Sequence, residues 1–538
     1  MNDMSKRKTR TLPPFDELPV FKGRNLRYDF DTMAEMVYVR SQELANQEFV
    51  RYYGQSITYA QVNERANRVA NYLKAKGVTK GDVVSSMVLN SPEVYYNMFG
   101  SQKLGCIAGT INFMLKAPEI AHVLDDSKPK VVFVSSEYMT EFARGLKMAR
   151  TKPAVVEVVT RVEHDAKIAE TTMDDILATY PADEALVKAS KDDPFMLLYS
   201  SGTTGRPKGI VISNKAQMSI CVARTQIGIN QPDDMYIVFL PMFHTNPLCC
   251  WTYPVIFQGI RVCIREKFSP ADFWPSVLEN GITLIQGVPT MYNYVLNSVD
   301  PGTIDRSKLK LRYAFSGAAP MPPELIRAFK EKFNVTVLEG YGLTEVTGYS
   351  TSNAGVTPKP GSIGVAVYGQ EIEIMDEKNN ILPYGEKGEI CIKSEANMTC
   401  YLNNPEATAE TIIDGWLHTG DMGYMDEEGY IFISGRKKEM INRGGENIYP
   451  REIELALEEH PKVGSVAVVG VPDEALGERV KACIIPKEPG SLTAEEVKAF
   501  LKERIAKYKI PEYVEFMTEF PLNATGKIMK TNLKYVPK

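Results

Sequence analysis

Short apolar runs rich in β-branched residues alternate with helical patterns along most of the chain, and Val131–Ser135, Ala154–Thr160, Met235–Leu240 and Leu311–Phe315 read as strands. Strands alternating with helices predict a layered α/β architecture. After Pro322-Pro323-Glu324, the stretch LIRAFKEKF repeats its apolar positions at helical spacing. Prolines and an acid suit a first turn, so a surface helix is expected to feed a strand at Val335–Leu338. Between about 361 and 433 the pattern changes to two-residue alternation (QEIEIMD, GEICIKS, GYIFIS) among Gly-rich turns, which predicts a mainly β subdomain. The last hundred residues read as a separate small α+β unit: helix Arg451–His460, strands Gly464–Val471 and Val480–Ile485, helix Ala494–Lys507 and strand Tyr513–Phe516. Thr493 and Glu496 form a capping box at the start of the second helix. Val497, Phe500, Leu501, Ile505 and Tyr508 then make one apolar face.

With 538 residues the chain can hold several domain-sized units, and neither a repeat nor a low-complexity tract interrupts it. A net charge of −5 argues against a dedicated nucleic-acid or anionic-membrane binder. No apolar run is long enough to cross a bilayer, and the basic start runs into prolines instead of the apolar middle of a secretory signal. Residues 1–29 read as a tail. The eight cysteines lack metal-ligand or disulfide-framework spacing and the five histidines are scattered, so a reducing cytoplasm is expected and no transition metal is implied.

The segment Tyr199-Ser-Ser-Gly-Thr-Thr-Gly-Arg-Pro-Lys-Gly209 carries the most chemistry, as a loop between the apolar runs Phe195–Leu198 and Ile210–Ile212. Gly202 and Gly205 free the backbone to aim N–H groups at an anion. Ser200, Ser201, Thr203 and Thr204 add hydroxyl donors, and Lys208 adds a charge. It is not a Walker loop, because Pro207 stands where that motif needs glycine and a strand follows in place of a helix.

This segment resembles the phosphate-binding signature of the adenylate-forming superfamily, which includes acyl-CoA synthetases, luciferases and peptide-synthetase adenylation domains. The other signatures follow in order: Ser316-Gly-Ala-Ala-Pro320, Gly340-Tyr-Gly-Leu-Thr-Glu345, Thr419-Gly-Asp421, Gly435-Arg-Lys-Lys-Glu439 and Pro521-Leu-Asn-Ala-Thr-Gly-Lys527. The resemblance runs from about residue 30 to the end. It implies a large ATP- and acid-binding domain over 30–435 and a mobile C-terminal domain over 436–538 that pivots at Lys438. It further implies that Gly317, Ala318, Ala319, Gly340, Tyr341 and Gly342 line the adenine side, that Thr344 meets the α-phosphate, and that Glu345 holds Mg²⁺. Asp421 would bind ribose, Arg436 would contact the nucleotide, Lys527 would be the catalytic lysine, and Gly444, Gly445 and Glu446 would lie beside the pantetheine of CoA. Asn442 departs from relatives that carry lysine there, and no nucleotide contact is assigned to it. The residue types fit without the family: a carboxylate approaching a triphosphate needs its charge neutralised, here by Mg²⁺, hydroxyls, Lys208 and Lys527. No side-chain nucleophile is advertised.

Phe243, His244, Thr245 and Asn246 match the border of the acyl pocket, and the lack of a nearby Asp favours a simple carboxylic acid over an amino acid. Acetate-specific relatives carry tryptophan where this chain has Gly342. The glycine is therefore expected to leave the pocket open to short- to medium-chain, branched or cyclic acids. The reading is an AMP-forming acyl-CoA synthetase using ATP, Mg²⁺ and CoA, with a second copy of the chain the one macromolecular partner left open. Its rivals are a carrier-protein-loading acyl-AMP ligase, a luciferase-like oxygenase and a silent nucleotide sensor. The last is disfavoured by the joint presence of Lys208, Glu345, Asp421 and Lys527.

Overall fold

The computed structural model describes residues 13–200, 207–317, 319, 321–359, 361–444, 446–522 and 528–536. Two large sheets carry the first two-thirds of the chain. In the eight-stranded one, Val83–Met87, Ile107–Thr110, Val131–Ser135 and Ala154–Val158 pair in parallel. Val131–Ser135 is buried at every position, as a strand covered on both faces must be. The sheet continues through the antiparallel pair β1 (Pro194–Ser200) and β2 (Lys208–Ser213) and ends on the two-residue strand Cys400–Tyr401. That last pairing sets Tyr401 opposite Ile210, so a residue from the β-rich part lies against the start of β2. β2 runs into helix α1 (Asn214–Thr225), whose N-cap Ser213 accepts a hydrogen bond from the Ala216 N–H.

The nine-stranded sheet is parallel through its middle and includes β3 (Tyr313–Ser316) and β4 (Thr336–Tyr341), joined by α2 (Pro323–Phe333). The helix expected after Pro322 is there. Leu325, Phe329 and Phe333 are its buried stripe, and Asn334 ends it in the left-handed region at φ 58°. The alternating stretch forms a five-stranded sheet in which β5 (Trp416–Met425) pairs antiparallel with β6 (Ile431–Arg436).

From residue 441 onward a separate apolar cluster forms around Ile448, Ile453, Leu457, Val466, Val468, Ile484, Val497 and Leu501. It is built from α3 (Pro450–Glu458), five strands at Ile441–Arg443, Glu446–Ile448, Val463–Asp473, Gly477–Pro486 and Tyr513–Phe516, and the helix Ala494–Lys502. This last helix stops short of the expected Lys507. The Leu501 carbonyl accepts the N–H groups of both Arg504 and Ile505, which tightens the end into a turn. Ile505 and Tyr508 reach the core from that turn and a following 3₁₀ segment, while Phe500 packs on His460 at 4.6 Å. All eight cysteines are unpaired, and no helix among the described residues is long and apolar enough to cross a membrane.

Candidate active site

Ser200 and Lys208 are Cα partners at one end of the antiparallel β1–β2 pair. Ser201, Gly202, Thr203, Thr204 and Gly205 lie outside the described residues, as do Ala318, Gly445 and Lys527. Lys208 Nζ stands 4.8 Å over the ring of Tyr401, and the Tyr401 hydroxyl donates to Glu345 Oε1 at 2.9 Å. One tyrosine thus joins the cation and the carboxylate that the sequence singles out separately. Burial, then the nearby Glu345, pushes the Tyr401 phenol well above its usual range, so it remains a donor.

Glu345 sits in a short turn after β4, with the Met398 N–H donating to its carbonyl at 2.7 Å. Its neighbour Thr344 is tied by Oγ1 to Thr245 Oγ1 at 2.8 Å, joining the expected α-phosphate residue to the expected acyl residues. Phe243 is buried, packs edge-on to Phe113, and lies 4.2 Å from the His244 ring. Asn246 begins a π-helical segment, Asn246–Thr252, a departure from regular helix that is common at functional sites.

On the other flank, the Tyr341 hydroxyl donates to Asp421 Oδ2 at 2.6 Å, and Arg436 Nε lies 3.0 Å from Asp421 Oδ1. Asp421 and Arg436 are paired across β5 and β6, which fixes this contact by register. The Asp421 carboxylate strengthens the hold of Arg436 on its proton. The next three residues, Lys437–Glu439, form a 3₁₀ turn containing Lys438. Gly444 turns at φ 60° and donates its N–H to the Leu476 carbonyl inside the small unit, where Glu446 is exposed. An isolated antiparallel bridge pairs Leu522 with Ile528, the described residues on either side of 523–527.

The glycines act by close approach. A Cβ on Gly317 would lie 3.3 Å from the Gly340 carbonyl oxygen, and one on Gly340 would lie 3.1 Å from that of Thr351; Ala319 is exposed. Gly342 corrects the sequence reading. A Cβ there would stand 2.4 Å from the Gly348 carbonyl oxygen, so backbone fills the space that the glycine was expected to leave open. The expectation of an enlarged pocket loses its stated basis.

Two residues were not singled out from the sequence. Tyr401 is the first. The second is Glu339, within β4, which accepts the Met321 N–H at 3.0 Å and whose carboxyl is pushed up to about 7 by burial. Nothing in the local pattern marks either one.

The model for AMP-binding enzymes matches residues 38–402, and that for their C-terminal domain matches 452–527. The chain belongs to the AMP-binding enzyme family. It is 34% identical to a long-chain-fatty-acid–CoA ligase, FadD13, of Mycobacterium tuberculosis over 89% of this chain and 92% of that one. It is 33% identical to a crotonobetaine/carnitine–CoA ligase of Citrobacter koseri over 96% of this chain and all of that one. Its fold superposes on ATP-bound MatB from Rhodopseudomonas palustris with a TM-score of 0.85 at 29% identity, covering 94% and 98% of the two chains. This family member is an AMP-forming acyl-CoA ligase of the adenylate-forming superfamily, with its acid unspecified.

Proposed function

We propose that the residues gathered around Lys208, Thr344 and Glu345 activate a small-molecule carboxylic acid with ATP, and that the small unit then turns to admit CoA. In the first step a carboxylate oxygen bonds to the α-phosphorus. The bond from that phosphorus to the bridging oxygen breaks, and pyrophosphate leaves with its electron pair. In the second, the CoA sulfur bonds to the acyl carbon, the thiol proton goes to solvent, and AMP departs with the oxygen that had bridged it to the acyl group. The observation that carries this reading is the Lys208–Tyr401–Glu345 contact beside the Thr344–Thr245 hydrogen bond, which places a cation, a carboxylate and hydroxyls around one point.

In this reading Lys208, with Ser200, Ser201, Gly202, Thr203, Thr204 and Gly205, binds the phosphates of ATP, and Thr344 meets the α-phosphate. Gly317, Ala318, Ala319, Gly340, Tyr341 and Gly342 line the adenine, Asp421 takes the ribose, and Arg436 contacts the nucleotide. Asp421 is already held by Tyr341 and Arg436, so a ribose would enter an oriented carboxylate. Phe243, His244, Thr245 and Asn246 border the acid. Glu345 offers one carboxylate, and no group of three or more acidic, His or Cys side chains converges among the described residues. Such a donor set suits Mg²⁺ held largely by phosphate oxygens. Bound there, Mg²⁺ would neutralise phosphate charge. The unit over 436–538, turning at Lys438, brings Lys527 first and Gly444, Gly445 and Glu446 second. Eight unpaired thiols fit a reducing compartment such as the cytoplasm.

The test is a separation of half-reactions. Lys527→Ala should slow pyrophosphate release by about 10² to 10³ while thioester formation from supplied acyl-AMP persists. An equal fall of both in a folded variant would contradict the reading.

A further inference from the structure

Arg224, in the last turn of α1, is only 6% exposed, yet among the described residues its guanidinium makes no hydrogen bond and no ion pair. Three aromatic rings enclose it instead: Trp251 at 3.9 Å, Phe315 at 4.6 Å and Tyr349 at 4.7 Å from their centroids. Cation–π attraction and the carbonyl end of α1 offset part of the cost of burying this charge. Neither gives its five N–H donors an acceptor.

Gln286 Oε1 is taken by the Trp251 indole N–H, and the buried hydroxyls of Tyr349 and Ser316 have no partner. The cage abuts the glycines assigned to the adenylate. A Cβ on Gly340 would meet the Tyr349 ring at 3.2 Å, and one on Gly317 would meet Gln286 Nε2 at 3.6 Å. Trp251 belongs to the same π-helical segment as Asn246, one of the residues assigned to the acid.

We propose that Arg224 is a specificity-determining residue that receives a second carboxylate on the acid, remote from the one that is adenylated. A carboxylate accepts two parallel N–H bonds from a guanidinium, the geometry that an unpaired Arg lacks. The inference rests on the acyl-CoA ligase reading and adds the class of acid: dicarboxylic, with the spacing between its two ends set by the distance from the cage to Thr344.

The experiment compares pyrophosphate release from matched acids of three to eight carbons, each monocarboxylate against the α,ω-dicarboxylate of equal length. At one length or more the dicarboxylate should have the higher kcat/KM, by about tenfold or more, the range of a charged hydrogen bond. Arg224→Gln should collapse that ratio by about tenfold and Arg224→Lys should retain part of it, with the KM for ATP unchanged. Because the ratio is internal to each variant, loss of folded protein does not alter it. Preference for the monocarboxylate at every length, a ratio untouched by Arg224→Gln, or a rise in the KM for ATP in place of the ratio change would overturn the proposal. Turnover of monocarboxylates alone would leave the ligase reading standing, whereas no pyrophosphate from either series would remove both.

Discussion

Tyr401 touches Lys208 with its ring and Glu345 with its hydroxyl, so replacing it by phenylalanine removes only the second contact. Partners that orient a metal-binding carboxylate are typically worth about 10- to 100-fold in metal affinity. Tyr401→Phe should therefore raise the Mg²⁺ concentration for half-maximal pyrophosphate release by about tenfold, with a matching shift in the Mg²⁺ needed for ATP to raise Tm. An unchanged Mg²⁺ dependence in both readouts would remove Tyr401 from this role. Glu339 gives a second test at this scale. Burial raises its carboxyl to about 7, against about 4.3 in an unfolded chain. Its contribution to stability is therefore full below the unfolded value and is lost as pH rises through about 7. Glu339→Gln, always neutral, should be more stable than the parent at pH 8 by up to about 3 kcal/mol, with the advantage shrinking toward pH 5. Thermal melts at both pH values check this, and an equal Tm difference at the two would contradict it. Lys208 was legible in a run of glycines and hydroxyl residues, whereas Thr344, Glu345 and Asp421 were read only through the family signatures that contain them. Tyr401 was not, since it reaches them only through a two-residue pairing with β2. Arg224 reads locally as an ordinary cation at a helix C-terminus, and Gly342 shows that a glycine marks spare room and close backbone approach by the same letter.

Among the elements, those with a strong period were legible nearly to the residue. Val131–Ser135 and Tyr513–Phe516 are strands over the expected spans, and α2 shows the expected helical spacing. Ends were less so. Strands expected to stop at Thr160 and Leu240 end at Val158 and Val238, and the helix from Ala494 ends at Lys502, because apolar residues in a terminal turn pack on a core as well as helical ones do. The 3₁₀ turn Lys437–Glu439 lies between two anchors. Before it Arg436 is held by Asp421, and after it Glu439 pairs with Lys530 at 2.9 Å, three residues beyond Lys527. A backbone change at Lys438 would thus be passed to the segment around Lys530. Lys438→Pro fixes φ near −65° and should lower thioester formation from supplied acyl-AMP by about tenfold or more while adenylation continues. Normal thioester output from this variant would exclude Lys438 as the pivot.

At the scale of the whole molecule, the α/β layers, the β-rich stretch and the small final unit all follow from changes of hydrophobic period along the chain. The completion of the eight-stranded sheet does not, since the pairing of Cys400–Tyr401 with β2 joins segments nearly two hundred residues apart. Every assigned role converges on one path for one oxygen atom, from the carboxylate to the α-phosphorus and away with AMP. The most direct test uses a turned-over acid labelled with ¹⁸O in its carboxylate, MgATP and CoA, and reads the products by mass spectrometry. The adenylate mechanism predicts one ¹⁸O in AMP and none in pyrophosphate. Label in a phosphate other than that of AMP, or label-free AMP formed alongside the thioester, would contradict it.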